Sequence, residues 1–276
     1  MNWRYYNYTM IPSCAPHEEP DFSTLRDGSI WNNNKSALMV RWTTDFDCSR
    51  KTGWWYIIKD EPFDISGLKA KRRYEINKGI RYFDVKLIDP SDYGEELFKV
   101  QAAAFSSYPK KYRPEINKVK FLESINKWNS YKVYGAFYKE TGELCGYSLL
   151  KMINNSCIDF RVQKTNPEFE RYAINAALIE KILDDNNDFL NNGGYICDGS
   201  RSINHETKFQ DYLEKYFNFR KAYCKLHIEY SSRIKWIIKI LYPFRNIMRF
   251  FDNFGIMHQL NSVFKIEEIV RGESNE

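Results

Sequence analysis

The sequence predicts an α/β protein with a mixed sheet (α+β in its strand pairing), and three stretches carry that prediction. Residues 156–230 alternate strand, helix, strand, helix, strand. Residues 132–153 read as two strands joined by the turn Glu140-Thr-Gly-Glu143. Residues 82–128 read as one strand followed by two helices. Such an order sets a helix after each of two neighbouring parallel strands, with antiparallel strands before them. Ligands of α/β proteins gather at the carboxyl ends of parallel strands, beside a helix N-terminus.

Residues 1–36 mix Pro, Asn, Ser and Asp with scattered aromatics and predict an irregular, packed lead-in. Residues 37–46 and 53–59 are strand-like and predict a hairpin, with Trp42, Trp54 and Trp55 as packing groups. Ser66 to Gly79 predicts a helix that Ser66 caps and Gly79 ends, with Leu68 and Ile76 on its apolar stripe. This is the most basic segment, carrying Lys69, Lys71, Arg72, Arg73 and Lys78, with Arg81 just after. A solvated face and an anion clamp would both use such a run.

Residues 82–88 alternate as a strand, Ser91 or Asp92 caps a helix to about Ser106, and a second helix runs from Pro114 to about Trp128. After the 132–153 hairpin, Ser156 to Gln163 is a strand. Asn166 then caps a helix with Pro167 in its first turn, where the missing N–H is harmless. Phe169, Tyr172, Ala173, Ala176, Ile179 and Leu183 recur at helical spacing along it. Gly193-Gly194 stops that region. Residues 195–200 form a short buried strand, 204–217 a helix and 221–230 a strand.

Residues 231–251 change character. Lys235, Lys239, Arg245 and Arg249 stand against Ile, Trp, Leu and Phe, and Pro243 divides the run in two. A helix pair packed on the domain or on a partner, or one lying in a membrane interface, would both show this pattern. The tail after Gly272 is expected to be loose. The linear division is therefore a strand-rich extension with a basic helix (1–80), an α/β domain (81–231), and amphipathic helices with a tail (232–276).

Hydrophobic residues at 43% and aromatics at 17% of 276 residues suffice for a large core, which excludes a disordered chain. A net charge of +5 is too mild to single out nucleic acid. The six cysteines lie apart with no Cys-x-x-Cys, and the four histidines are isolated, so a metal site is not expected. Met1-Asn-Trp-Arg lacks a signal-peptide core. The apolar run 236–242 falls well short of the ~20 residues of a bilayer span. The expected location is cytoplasmic, with membrane-peripheral contact through 231–251 as an option.

The region 81–231 resembles the GNAT acyltransferase superfamily. In that family a strand leads into a pyrophosphate-binding turn, (Arg/Gln)-x-x-Gly-x-(Gly/Ala), that opens a helix. Here Asn166 to Ile179 stands in its place. One phase matches Glu170, Ala173 and Asn175 to the motif, the other Arg171, Ile174 and Ala176, and neither keeps a glycine. The family's later helix has its counterpart in Asn204 through Tyr212, Tyr216 and Asn218-Phe219. Within the superfamily the chain looks nearest to the Fem-type aminoacyltransferases and related cell-envelope acyltransferases, which also carry a basic helix before the catalytic half.

The resemblance implies a V-shaped opening between the 156–163 and 195–200 strands and binding of acetyl-CoA or another acyl-CoA. It assigns cofactor contacts to Arg161, Val162, Gln163, Lys164, Asn166, Arg171, Tyr172, Ala173, Ile174, Asn175 and Asn204. Acyl transfer needs a polarised carbonyl, a base for the acceptor and an acid for the leaving group. Near the strand ends the residues able to serve are Asp159, Arg161, Asp198, Arg201, His205, Tyr212 and Tyr216, with His205 as base and Tyr216 or Tyr212 as acid. Three readings stay open. The first is an acyl-CoA-dependent transferase acting on an amine or hydroxyl of a small molecule or envelope precursor. The second is an aminoacyl-tRNA-dependent Fem-like enzyme, the one case that brings in nucleic acid. The third is a non-catalytic binding module. The acceptor and the oligomeric state are not legible.

Overall fold

The computed structural model describes residues 3–108, 113–203, 208–251 and 255–274. In chain order the first elements are β1 (Trp3–Tyr6), β2 (Thr9–Pro12), α1 (Ser23–Arg26), α2 (Ser29–Asn33), β3 (Met39–Thr44), β4 (Trp54–Lys59) and α3 (Ala70–Tyr82). Then come β5 (Phe83–Leu87), α4 (Gly94–Ser106), α5 (Lys118–Ile125), β6 (Lys132–Tyr138), β7 (Leu144–Asn154), β8 (Cys157–Thr165), α6 (Ile174–Asp185) and α7 (Asn187–Asn191). The last are β9 (Tyr195–Ser200), α8 (Lys208–Phe217), β10 (Arg220–Tyr230), α9 (Ser232–Leu241), α10 (Arg245–Met248) and α11 (Gly255–Ser274). The chain divides into two compact units, each discontinuous in sequence: residues 1–57, 200–208 and 221–276, and residues 58–199 with 209–220. The boundary at 231 read from the sequence falls inside the first unit, where β10 pairs with β3 from Lys225↔Thr44 to Tyr230↔Met39.

In the first unit the strands run β1-β2-β3-β10-β4. The hairpin expected between β3 and β4 does not form, because β10 lies between them. Its alternating Ala222, Cys224 and Leu226 are buried, and the link after β3 bonds to it, Cys48 N–H donating to the Tyr223 carbonyl at 3.0 Å. Asp45 and Asp47 take left-handed backbone in that link and turn it away from a tight return. α11 is an element the sequence reading missed. It continues through Gly272 to Ser274, where a loose tail was expected. Ile266 packs with Trp54, Cys224 and Leu226, and Phe264 with Ile238 and Tyr242.

In the second unit the order is β9-β8-β7-β6-β5, with β8 and β9 parallel and the other pairs antiparallel. α4 and α5 cover one face, where Leu97, Val100, Phe121 and Ile125 meet Val133, Tyr147 and Leu149. α6 covers the other, and Ile174 and Leu178 pack over Gly146. α6 is buried nearly all round (Ile174, Ala176–Ile179, Ile182, Leu183), because α3 lies on its outer side.

Five boundaries differ from the sequence reading for local reasons. Asn166 caps a 3₁₀ turn, Pro167–Tyr172, and Ala173 at φ +63° separates it from α6, so one long helix becomes a turn and a helix. Ser66 bonds to Asp64 in a turn, so α3 begins later, at Ala70. Gly79 does not end α3. A Cβ there would lie 2.5 Å from the Ala173 carbonyl oxygen and 2.9 Å from the Ala177 nitrogen, so this glycine is the contact through which α3 seats on α6. Asp89 caps a 3₁₀ turn before α4, and Asn117 caps α5 by accepting from Lys120 N–H at 3.0 Å.

Candidate active site

β8 and β9 pair from Cys157↔Tyr195 to Asp159↔Cys197, after which β8 runs on to Thr165 beside β7 alone among the described pairs. The divergence is helped by a bulge. Leu149 faces Val162 while Leu150 faces Phe160, which leaves Arg161 unopposed. An opening of this kind exposes strand backbone and side chains to a ligand at the carboxyl end of a parallel pair.

Three groups converge there. The Asp198 carboxyl is pushed up to about 7, by burial first and then by the nearby charge of Asp159, against which a hydrogen bond from Gln210 acts. Gln210 of α8 reaches its Oδ2 with Nε2 at 3.4 Å, and Phe209 sets an edge against Phe160 at 6.0 Å. Asp159 pairs with Arg161, Nε to Oδ2 at 3.4 Å, and Arg161 also donates from Nη1 to the Tyr131 hydroxyl at 2.9 Å. Both side chains of that pair are about three-quarters covered, so the guanidinium is held rather than solvated.

The residues assigned to cofactor contacts are spread over both faces of β8. Val162 joins the core under α4, and Lys164 donates to the Tyr108 hydroxyl at 3.1 Å with its ammonium over Phe105. On the opposite face Gln163 donates to Asn175 Oδ1 at 2.7 Å and accepts from Ser148 Oγ at 3.1 Å, which ties the strand to the start of α6. Asn166 accepts from Glu168 N–H at 3.1 Å. Arg171 is exposed and stacks on Tyr172, whose ring meets Tyr82 of α3 at 4.8 Å. Ala173 takes the left-handed backbone that glycine would supply at this motif position, and Ala173 and Ile174 are buried. Gly79 of α3 thus lies against the start of α6, and Glu168 and Glu170 precede it. A diphosphate needs open N–H groups and positive surroundings at a helix start. Here Glu168 and Glu170 oppose a diphosphate, Arg171 offsets them in part, and Gly79 of α3 lies against the turn.

Tyr212 and Tyr216 stack on each other at 4.8 Å. Burial, aided by the charge of Glu75 in α3, raises the Tyr212 hydroxyl well above its ordinary value. At ~100° per residue they lie roughly 160° and 120° around α8 from Gln210, so the pair faces α3 rather than Asp198. Arg201 belongs to the first unit, where Nη1 donates to the Gly53 carbonyl at 2.6 Å and the guanidinium covers Trp55. Asn204 and His205 lie outside the described residues. Sequence reasoning missed Gln210 and Tyr131, which no motif marks. It also misread Gly79, although a glycine inside a helical pattern is itself a sign of close packing.

On the α4 side, a groove of about 510 Å³ is lined by Gln101, Phe105, Asn117, Lys120 and Phe121. Gln101 accepts from the buried Tyr147 hydroxyl at 2.7 Å, which joins the groove wall to β7. Among the described residues no cluster of His, Cys, Asp and Glu could hold a metal ion.

No protein-family model and no curated protein sequence matches the chain. Solved structures do. L-PGS from Bacillus licheniformis aligns over 87% of this chain and 83% of its own, with TM-score 0.55 and 14% identity. The C-terminal domain (DUF2156) of a putative lysylphosphatidylglycerol synthetase from Agrobacterium fabrum aligns over 86% and 82%, with TM-score 0.52 and 10% identity. At these identities the likeness concerns the fold alone. The fold in common is a mixed α/β fold, as the sequence predicts.

Proposed function

We propose that the second unit is a transferase that moves an acyl group, in the favoured form an aminoacyl group, from an activated ester to an amine or hydroxyl acceptor. The observation that carries this reading is the parting of β8 and β9 beside Asp198, a carboxyl poised near neutrality. A base works best when its pKa lies near the working pH. In the reaction the acceptor nitrogen or oxygen attacks the acyl carbon and its proton passes to the Asp198 carboxylate. The new N–C or O–C bond forms, the ester C–O bond breaks, and the leaving oxygen takes up a proton. Backbone N–H groups at the Arg161 bulge meet the developing oxyanion, and the guanidinium held by Asp159 and Tyr131 adds positive field. The groove beside Gln101 and Lys120 admits the acceptor.

The crowding of α3 on the start of α6 and the acidic Glu168 and Glu170 before it support an ester donor such as aminoacyl-tRNA over acyl-CoA. α3 presents Lys71, Tyr74 and Arg81 to solvent, a spacing of cations and an aromatic that suits a phosphate backbone. Tyr212 and Tyr216 turn away from Asp198, so His205 is the candidate acid for the leaving oxygen. His205→Ala is expected to lower turnover about 10²-fold with the fold intact, and Tyr216→Phe to leave it nearly unchanged. The name borne by the Agrobacterium fabrum structure supports an envelope lipid as acceptor. On that reading the protein works in the cytoplasm, peripheral to the membrane.

Ligand-dependent melting separates the donors, since binding to the folded state raises Tm by mass action. We expect no shift with millimolar acetyl-CoA or longer acyl-CoA. With aminoacyl-tRNA we expect binding that weakens as salt rises and that Lys71→Gln with Arg81→Gln weakens further. A clear shift with acyl-CoA restores the coenzyme reading. A flat response to both donors leaves a non-catalytic module.

A further inference from the structure

We propose that α9, α10 and the 3₁₀ turns joined to them form a ridge that docks on an anionic lipid bilayer. The segment is apolar on two sides. Its inner side is already satisfied, with Ile238 and Tyr242 buried against Phe264 of α11. Its outer side is left in water: Trp236 is 64% exposed, Ile240 61%, Phe244 55%, Ile247 60% and Phe250 84%. Trp236, Ile240 and Phe244 follow at intervals of four and so line one strip. Contiguous exposed apolar surface of this kind marks an interaction face.

The charges select the occupant. No Asp or Glu occurs between Glu229 and Asp252. Four basic residues were read from the sequence as one group, and the structure separates them. Arg245 and Arg249 turn inward to Glu268 of α11, at 2.9 and 2.6 Å. Lys235 and Lys239 stay exposed on the outer side with Arg233, and the Lys239 ammonium lies 5.2 Å from the Trp236 ring centre. Aromatic and aliphatic side chains flanked by lysine and arginine suit the boundary between acyl chains and anionic headgroups. A second copy on the same face would bring these cations together, which disfavours self-association. Among the described residues no helix is long and apolar enough to cross a membrane, so the contact is interfacial. The inference stands apart from the proposed transfer reaction and needs no substrate.

The test uses the full chain with vesicles of phosphatidylcholine, with and without about 30% phosphatidylglycerol, read by co-sedimentation. We expect partitioning onto the anionic vesicles, weaker in high salt, and little onto the neutral ones. Phe250→Glu and Ile240→Glu should each lower partitioning about tenfold or more, and Lys235→Gln with Lys239→Gln by a similar factor, at unchanged far-UV circular dichroism. Unaltered partitioning of these variants overturns the assignment of the ridge. So does failure of the unsubstituted protein to bind anionic vesicles, or a dimer in light scattering that Phe250→Glu dissolves, which would make the ridge a contact between copies.

Discussion

Asp198→Asn is expected to abolish most transfer, by about 10²- to 10⁴-fold, and at the same time to stabilise the fold above neutral pH. Both effects come from one cause. Burial holds the Asp198 carboxyl near 7 in the folded chain, against an ordinary value of 3.8. Below about pH 4 the group is protonated whether the chain is folded or not, and it costs nothing. Between about 4 and 7 the unfolded chain ionises it while the folded chain keeps the proton, so the folded state binds more protons and stability falls as pH rises. Above about 7 the group is ionised in both states and the full penalty persists. Asparagine carries no charge and removes that penalty, on the order of 2 kcal/mol once the remaining solvent contact is allowed for. Melting curves of the two proteins should coincide near pH 4 and separate by pH 8, with the variant higher. The unsubstituted enzyme's rate should rise with pH to a plateau above 7. Parallel melting curves at every pH would remove Asp198 as the base.

Gly79→Ala should destabilise the protein by about 2–4 kcal/mol. In a solvent-facing helix the same change would stabilise by up to about 1 kcal/mol, because alanine is the better helix former. The sign therefore reports on the seating of α3. The added methyl would press on the Ala173 carbonyl and the Ala177 nitrogen, which are backbone atoms at the start of α6 and cannot swing aside. Relief requires α3 to lift from α6, with loss of the Tyr82–Tyr172 contact. Urea unfolding measures the change, and amide exchange at Ile174 and Asn175 should quicken in the variant. A stabilised variant would mean that α3 does not crowd the helix start, and the coenzyme reading would regain its footing.

The sequence by itself determined the kinds of elements and their order in the α/β region. Alternation at 132–153 and 156–163, the Glu140–Glu143 turn and the apolar spacing of α6 are local patterns. Side chains on a two- or 3.6-residue period can bury one face in only one kind of element. It also located Asp198 at a strand end, where ligands gather. Pairing partners and helix seating were decided only by tertiary structure. β10 enters between β3 and β4 although it lies more than 160 residues further along the chain, and no local pattern encodes which distant strand takes an edge. The meaning of Gly79 depends on Ala173, the pKa of Asp198 on how Gln210, Asp159 and the surrounding protein enclose it, and the split of the basic residues at 235–249 on Glu268 of a helix the periodicity did not reveal. Each of these is a through-space effect between residues far apart in sequence. Burial and electrostatics act on distance in the folded chain, which spacing along the sequence does not carry.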